Sequence, residues 1–86
     1  MALKNGGHPE IIWKKKNFTG LDIYVDRGEG KFTFLATHMQ PNYIDMAPLP
    51  AYGQSAIWIY VAVYRMGDKQ TGDYSDIVEV VVKGVV

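Results

Sequence analysis

Apolar and polar side chains alternate along most of this chain, and a period of two predicts β-strands rather than helices. In residues 10–16, Ile11 and Trp13 share one face and charged residues flank them, which predicts a first strand buried on one side. Residues 21–26 alternate most cleanly, with Leu21, Ile23 and Val25 set against Asp22, Tyr24 and Asp26. Arg27-Gly28-Glu29-Gly30 follows, and its glycines accept the positive φ of a tight hairpin. The returning strand, residues 31–37, puts Phe32, Phe34 and Ala36 on one face and Thr33, Leu35 and Thr37 on the other. Residues 42–46 read as a shorter strand, with either Tyr43 and Asp45 or Ile44 and Met46 facing inward. The proline-punctuated stretch 48–53 predicts an irregular connection between sheets.

Residues 56–65 are apolar on both faces: Trp58, Tyr60, Ala62 and Tyr64 against Ile57, Ile59, Val61 and Val63. A central strand covered on both sides has this pattern, and so does a strand that meets a partner. Residues 67–73 form a polar loop, and residues 75–83 a last strand with Val78, Val80 and Val82 facing in. The expectation is an all-β, antiparallel sandwich of about six strands. Its core holds Ile11, Trp13, Leu21, Ile23, Val25, Phe34, Trp58, Tyr60, Ala62, Val78 and Val80. The leftover apolar face, Ile57, Ile59, Val61 and Val63 with Tyr24 and Ile77, is the candidate interface.

Composition narrows the function classes. With 86 residues the chain is long enough for one domain and one core. Nine basic and nine acidic residues give no net charge, which argues against nucleic-acid or anionic-membrane partners. There is no cysteine, hence no disulfide, thiolate metal site or cysteine nucleophile. Neither a signal peptide nor a transmembrane stretch is visible: the longest apolar run, residues 56–64, falls far short of the ~20 residues of a spanning helix. Compartment cannot be read from these features.

The order of landmarks resembles a fibronectin type III domain. An early strand carries a buried Trp, matched by Trp13 in Ile11-Ile12-Trp13. Gly20-Leu21-Asp22-Ile23-Tyr24-Val25 is similar to the family's Gly-aromatic-x-Val-Tyr strand, and Phe34-Leu35-Ala36, Tyr43-Ile44-Asp45 and Leu49-Pro50 look like the next landmarks. Trp58-Ile59-Tyr60-Val61-Ala62-Val63 is similar to the Tyr-x-Val-x-Ala strand, and Tyr74-Ser75-Asp76-Ile77-Val78 to the Trp-Ser lead into the final strand. The resemblance covers residues 11–82 and is nearest to copies carried towards the C-terminus of bacterial proteins. It implies an exported or cell-surface context. In two respects the chain departs from the pattern. Trp58 stands where the family has a corner Tyr; its indole can donate from N–H but offers no hydroxyl, so that corner must be satisfied differently. Trp13 also lies close to the N-terminus, which predicts a first strand shortened or missing and residues 10–16 as an exposed edge shielded by Lys14, Lys15 and Lys16. Residues 1–9 then form a linker or strand stub, and residues 10–86 the domain.

Catalytic and ligand-binding patterns are thin. His8 and His38 are the only imidazoles, and both read as solvated loop residues rather than metal ligands. Ser55 or Ser75 with His38 and Asp45 would make a nucleophilic triad, but neither Ser has the Gly-x-Ser-x-Gly setting. Asp22 and Asp26 stand ~13 Å apart along a strand, beyond the ~5–9.5 Å of glycosidase carboxylates, and read with Glu29 as a solvated hairpin. Gly28-Glu29-Gly30-Lys31-Phe32 lacks the spacer and hydroxyl of a phosphate loop. Arg65-Met66-Gly67-Asp68 sits where adhesive family members show Arg-Gly-Asp, but the inserted Met66 changes its geometry. The reading is a non-catalytic spacer or protein-interaction module without cofactor or metal, its partner itself or a neighbouring domain, a homodimer included. The alternative is a carbohydrate-binding module using Tyr24, Tyr52 and Tyr74. An enzyme built on His38 and a carboxylate ranks third.

Overall fold

The computed structural model describes residues 2–5 and 7–84, with side chains from residue 7 onward. Among the described residues there are eight strands and no helix: β1 Ala2–Asn5, β2 Pro9–Ile12, β3 Gly20–Asp26, β4 Thr33–His38, β5 Asn42–Ile44, β6 Ser55–Met66, β7 Lys69–Thr71 and β8 Val78–Lys83. They build two antiparallel sheets. The smaller has the order β1-β2-β5; in the larger, β4-β3-β6 continues into β7 at one end of β6 and β8 at the other. The inward residues of both sheets meet in one core. Ile11 and Trp13 come from the smaller side, and Leu21, Ile23, Val25, Trp58, Tyr60, Ala62, Val80 and Val82 from the larger. In β5 it is Tyr43 that turns in, and buried Asp45 follows it, while Ile44 and Met46 stay exposed.

Sequence and structure part at four places. The two strands beyond the expected six are β1 and β7, each too short for alternation to be read. The strand expected over residues 10–16 ends at Ile12 and has no open edge, because β1 pairs along it from Ala2↔Ile12 to Asn5↔Pro9. Lys14, Lys15 and Lys16 therefore shield no strand; they lie exposed in the turn beyond it, where Lys16 has φ 53°. Third, Phe34 is not a core residue: it is 58% exposed. The cause is a β-bulge in which Ile23 pairs with Ala36 and Tyr24 pairs with Phe34, leaving Leu35 as the extra residue. Each bulge residue reverses the alternation beyond it, so Phe34 takes the outer face and Leu35 packs against the core instead.

Fourth, Asp22 and Asp26 are buried rather than solvated. Asp26 folds its carboxylate under the hairpin turn, where Oδ1 accepts the N–H groups of Gly28 and Glu29 at 2.9 Å and of Gly30 at 3.2 Å. Gly28 and Gly30 have φ of 103° and 82°, which side chains with a Cβ rarely adopt. Glu29 alone of the three acidic residues stays in solvent.

Candidate functional site

Register places the outer face of the larger sheet. Tyr24 on β3 lies opposite Phe34 on β4 and opposite Val61 on β6. Tyr60 pairs with Val78 at the start of β8, which puts Ile77 level with Val61. Phe34, Tyr24, Val61 and Ile77 thus form one apolar row across four neighbouring chain segments. Tyr74, in the segment before β8, closes on this row: its ring stands 5.9 Å from Tyr24 at 68°, and Phe34 stands 5.7 Å from Tyr24 at 75°. Tyr24, Phe32, Val61, Tyr74 and Ile77 line an open depression of about 420 Å³.

The residues of the candidate interface differ in exposure. Ile57 and Ile77 are more than half exposed, whereas Val61 (9%) and Val63 (3%) are covered within the chain and Tyr24 and Ile59 are half-buried. Val61 lies beside Tyr24 and Tyr74, and Val63 lies opposite Asp22 and its partners. Phe32, Phe34 and Tyr74 complete the surface instead. Alternation could not place Phe32 or Phe34 there, because the signal lies in the bulge.

Polar side chains fix this face from one end. Asp22, between Thr37 on β4 and Val63 on β6, accepts the Thr37 hydroxyl, the Arg65 guanidinium at 2.8 Å and the Gln70 amide at 2.7 Å. The same Gln70 nitrogen donates to the Tyr24 hydroxyl at 2.9 Å, so the aromatic row is tied to the β6–β7 hairpin. Gly67, with φ 63°, opens the two-residue turn of that hairpin. Burial pushes the Asp22 carboxyl upward, but its three donors outweigh burial and hold it below the usual carboxylate range. Tyr74 is held above the ordinary phenol value, first by Tyr24 beside it, so it stays neutral at neutral pH.

A second buried cluster bridges the two sheets. Arg27 grips Asp45 through both oxygens, at 2.9 and 3.1 Å, and Tyr60 donates its hydroxyl to the same carboxylate at 2.5 Å. The Arg27 guanidinium lies 4.3 Å from the Trp58 ring centre. Burial raises the Asp45 carboxyl, but Arg27, Tyr60 and the Ala47 N–H together leave it depressed; burial and then Asp45 push the Tyr60 phenol strongly up. Both Asp45 oxygens and the Tyr60 hydroxyl are bonded within the chain. The cluster holds the fold rather than waiting for a ligand.

The residues considered for catalysis do not converge. His8 is half-buried, and its Nδ1 donates to the Asp45 carbonyl at 3.1 Å; His38 packs edge-on against Tyr43 at 5.1 Å. His38 makes no hydrogen bond to a Ser or a carboxylate among the described residues. Ser75 is occupied by the Ala62 N–H and the Asp76 carbonyl, and Ser55 is exposed at the start of β6. Among the described residues no group of three or more His, Cys, Asp or Glu is placed to hold a metal. A small cavity of about 80 Å³ beside Trp13, Leu21, Ala62, Tyr64, Asp73 and Ser75 suits water rather than an organic substrate. The Trp13 indole N–H, which borders it, is buried without a protein partner. Comparisons with family models, with curated proteins and with solved structures return no match.

Proposed function

We propose that the chain is a non-catalytic β-sandwich module of fibronectin type III kind, acting through protein–protein contact at the outer face of its larger sheet. The sequence landmarks support that family reading, and so does the division of strands. The first two strands lie together in one sheet, and the third pairs with β6 in the other, as in immunoglobulin-like sandwiches. Two tyrosine hydroxyls of β6 make long-range bonds: Tyr64 donates to the Lys14 carbonyl at 2.7 Å, and Tyr60 to the Asp45 carboxylate.

One observation carries the interaction reading. Phe34, Tyr74 and Ile77, each more than half exposed, cluster on one face around Tyr24 and Val61. Monomeric proteins seldom leave a large contiguous apolar patch in water. The carbohydrate alternative needs ring faces presented in one plane, yet the Tyr24 and Tyr74 rings stand at 68°, and Tyr52 lies apart in the β5–β6 connection. Protein contact fits this face better.

A photo-crosslinking side chain tests the reading. Placed at Phe34 or Ile77 it should give protein adducts, and placed at Asp68 on the β6–β7 turn it should give few. Equal yields from all three positions would overturn the assignment of this face.

A further inference from the structure

Resting on that reading, we infer that the occupant of the outer face is a second copy of this chain, the two faces packed about a two-fold axis running parallel to the strands. Area is the first argument. Phe32, Phe34, Ile57, Tyr74 and Ile77 leave roughly 500 Å² of side-chain surface exposed, taking their exposed fractions and usual side-chain areas. A standard interface takes ~800 Å² from each partner, and a homodimer patch is ~65% apolar, which again comes to about 500 Å². The surface matches one half of a homodimer interface.

The second argument is self-complementarity. Phe32 and Phe34 lie on the β4 side of the sheet, and Ile57 and Ile77, with the Tyr74 ring beside Ile77, lie on the β8 side. Exposed Lys31 flanks the aromatic end, and on β8 exposed Glu79 faces outward beside Ile59, with exposed Lys83 two outward positions further along the same strand. A two-fold axis parallel to the strands sets β4 of one copy over β8 of the other. Phe32 and Phe34 then face the Ile57 and Ile77 side of the other copy, and Lys31 comes close to the level of Glu79, as an isologous contact requires. The acids within the face add no opposing charge, since Asp22 is paired with Arg65 and Asp26 is bound by turn N–H groups. Nine basic and nine acidic residues leave no net repulsion between copies.

Sedimentation equilibrium and light scattering of the chain over a concentration series test this. The expected species is a dimer of twice 9.7 kDa. Phe34→Asp and Ile77→Asp should each raise the concentration for half-dissociation at least ~10-fold, with unchanged circular dichroism and, at dilutions where all the chains are monomeric, an unchanged unfolding midpoint. Lys31→Glu should weaken the dimer, and Glu79→Lys in the same chain should restore it to within ~3-fold of the original. A chain monomeric up to ~1 mM overturns the inference. So does a dimer that responds to Phe34→Asp but not to Ile77→Asp, since that outcome means pairing through the β4 edge alone. A charge reversal without recovery overturns the proposed axis. In the monomeric case, adducts to a different protein from positions 34 and 77 would leave the interaction face standing, whereas equal adducts from position 68 would remove it as well.

Discussion

Asp45 and Asp22 are buried to the same degree, each faces one arginine about three-quarters buried, and yet they do different work. Asp45 follows β5 in the smaller sheet; its partners Arg27 and Tyr60 belong to the β3–β4 turn and to β6 of the larger. That cluster is a strut between sheets. Asp22 gathers Thr37, Arg65 and Gln70 from β4, β6 and β7, all within one sheet, and through Gln70 it positions Tyr24 on the outer face. The lesson is that equal burial does not mean equal consequence. What matters is whether the partners could separate without disturbing the core.

Removing each carboxylate is the strongest test of that difference. Asp45→Ala leaves Arg27 and the Tyr60 hydroxyl without their acceptor between the sheets, and should lower global stability by roughly 3–5 kcal/mol in urea unfolding. Asp22→Ala leaves Arg65, Gln70 and Thr37 free to turn to solvent, and should cost only about 1–2 kcal/mol. Hydrogen exchange should place its effect in the β6–β7 hairpin and around Tyr24. Equal losses would remove the distinction between strut and positioning cluster.

Acid titration sharpens the comparison further. Both carboxyls are held below their ordinary value in the folded chain, so the unfolded chain takes up protons first as pH falls. Their stabilisation is present above about pH 4 and is lost as pH falls through the folded values. The urea midpoint should therefore drop in that window, and Asp45→Asn should flatten the drop. The smallest expected effect is Thr37→Val, which removes a single donor from Asp22 and should cost about 1 kcal/mol.

Strand positions were legible in the sequence because alternation reports burial directly. Leu21, Ile23 and Val25, like Trp58, Tyr60 and Ala62, lie in the core as their spacing predicts. Alternation also sorts charges outward by default and so does not show the burial of Asp22 and Asp26: their hydrogen-bond partners lie up to 48 residues away or in the N–H groups of a turn. The strand β1 was hidden for another reason. Ala2-Leu3-Lys4-Asn5 has no apolar period and leads into Gly6-Gly7, so its pairing depends on the edge β2 offers it. The candidate face was half visible, since Tyr24 and Ile77 were found by period while Phe34 required knowledge of the bulge.

That bulge has a consequence for how the protein can change. Deletion of Leu35 would close the bulge and leave Ile23 opposite Ala36 and Tyr24 opposite Phe34, so the ladder would run unbroken with Phe34 still outside. Only the Leu35 contact with the core would be lost. The extra residue is thus what lets Phe34 and Leu35, neighbours in sequence, serve the surface and the interior at once. In this strand loss of one codon would cost a core contact and spare the aromatic face.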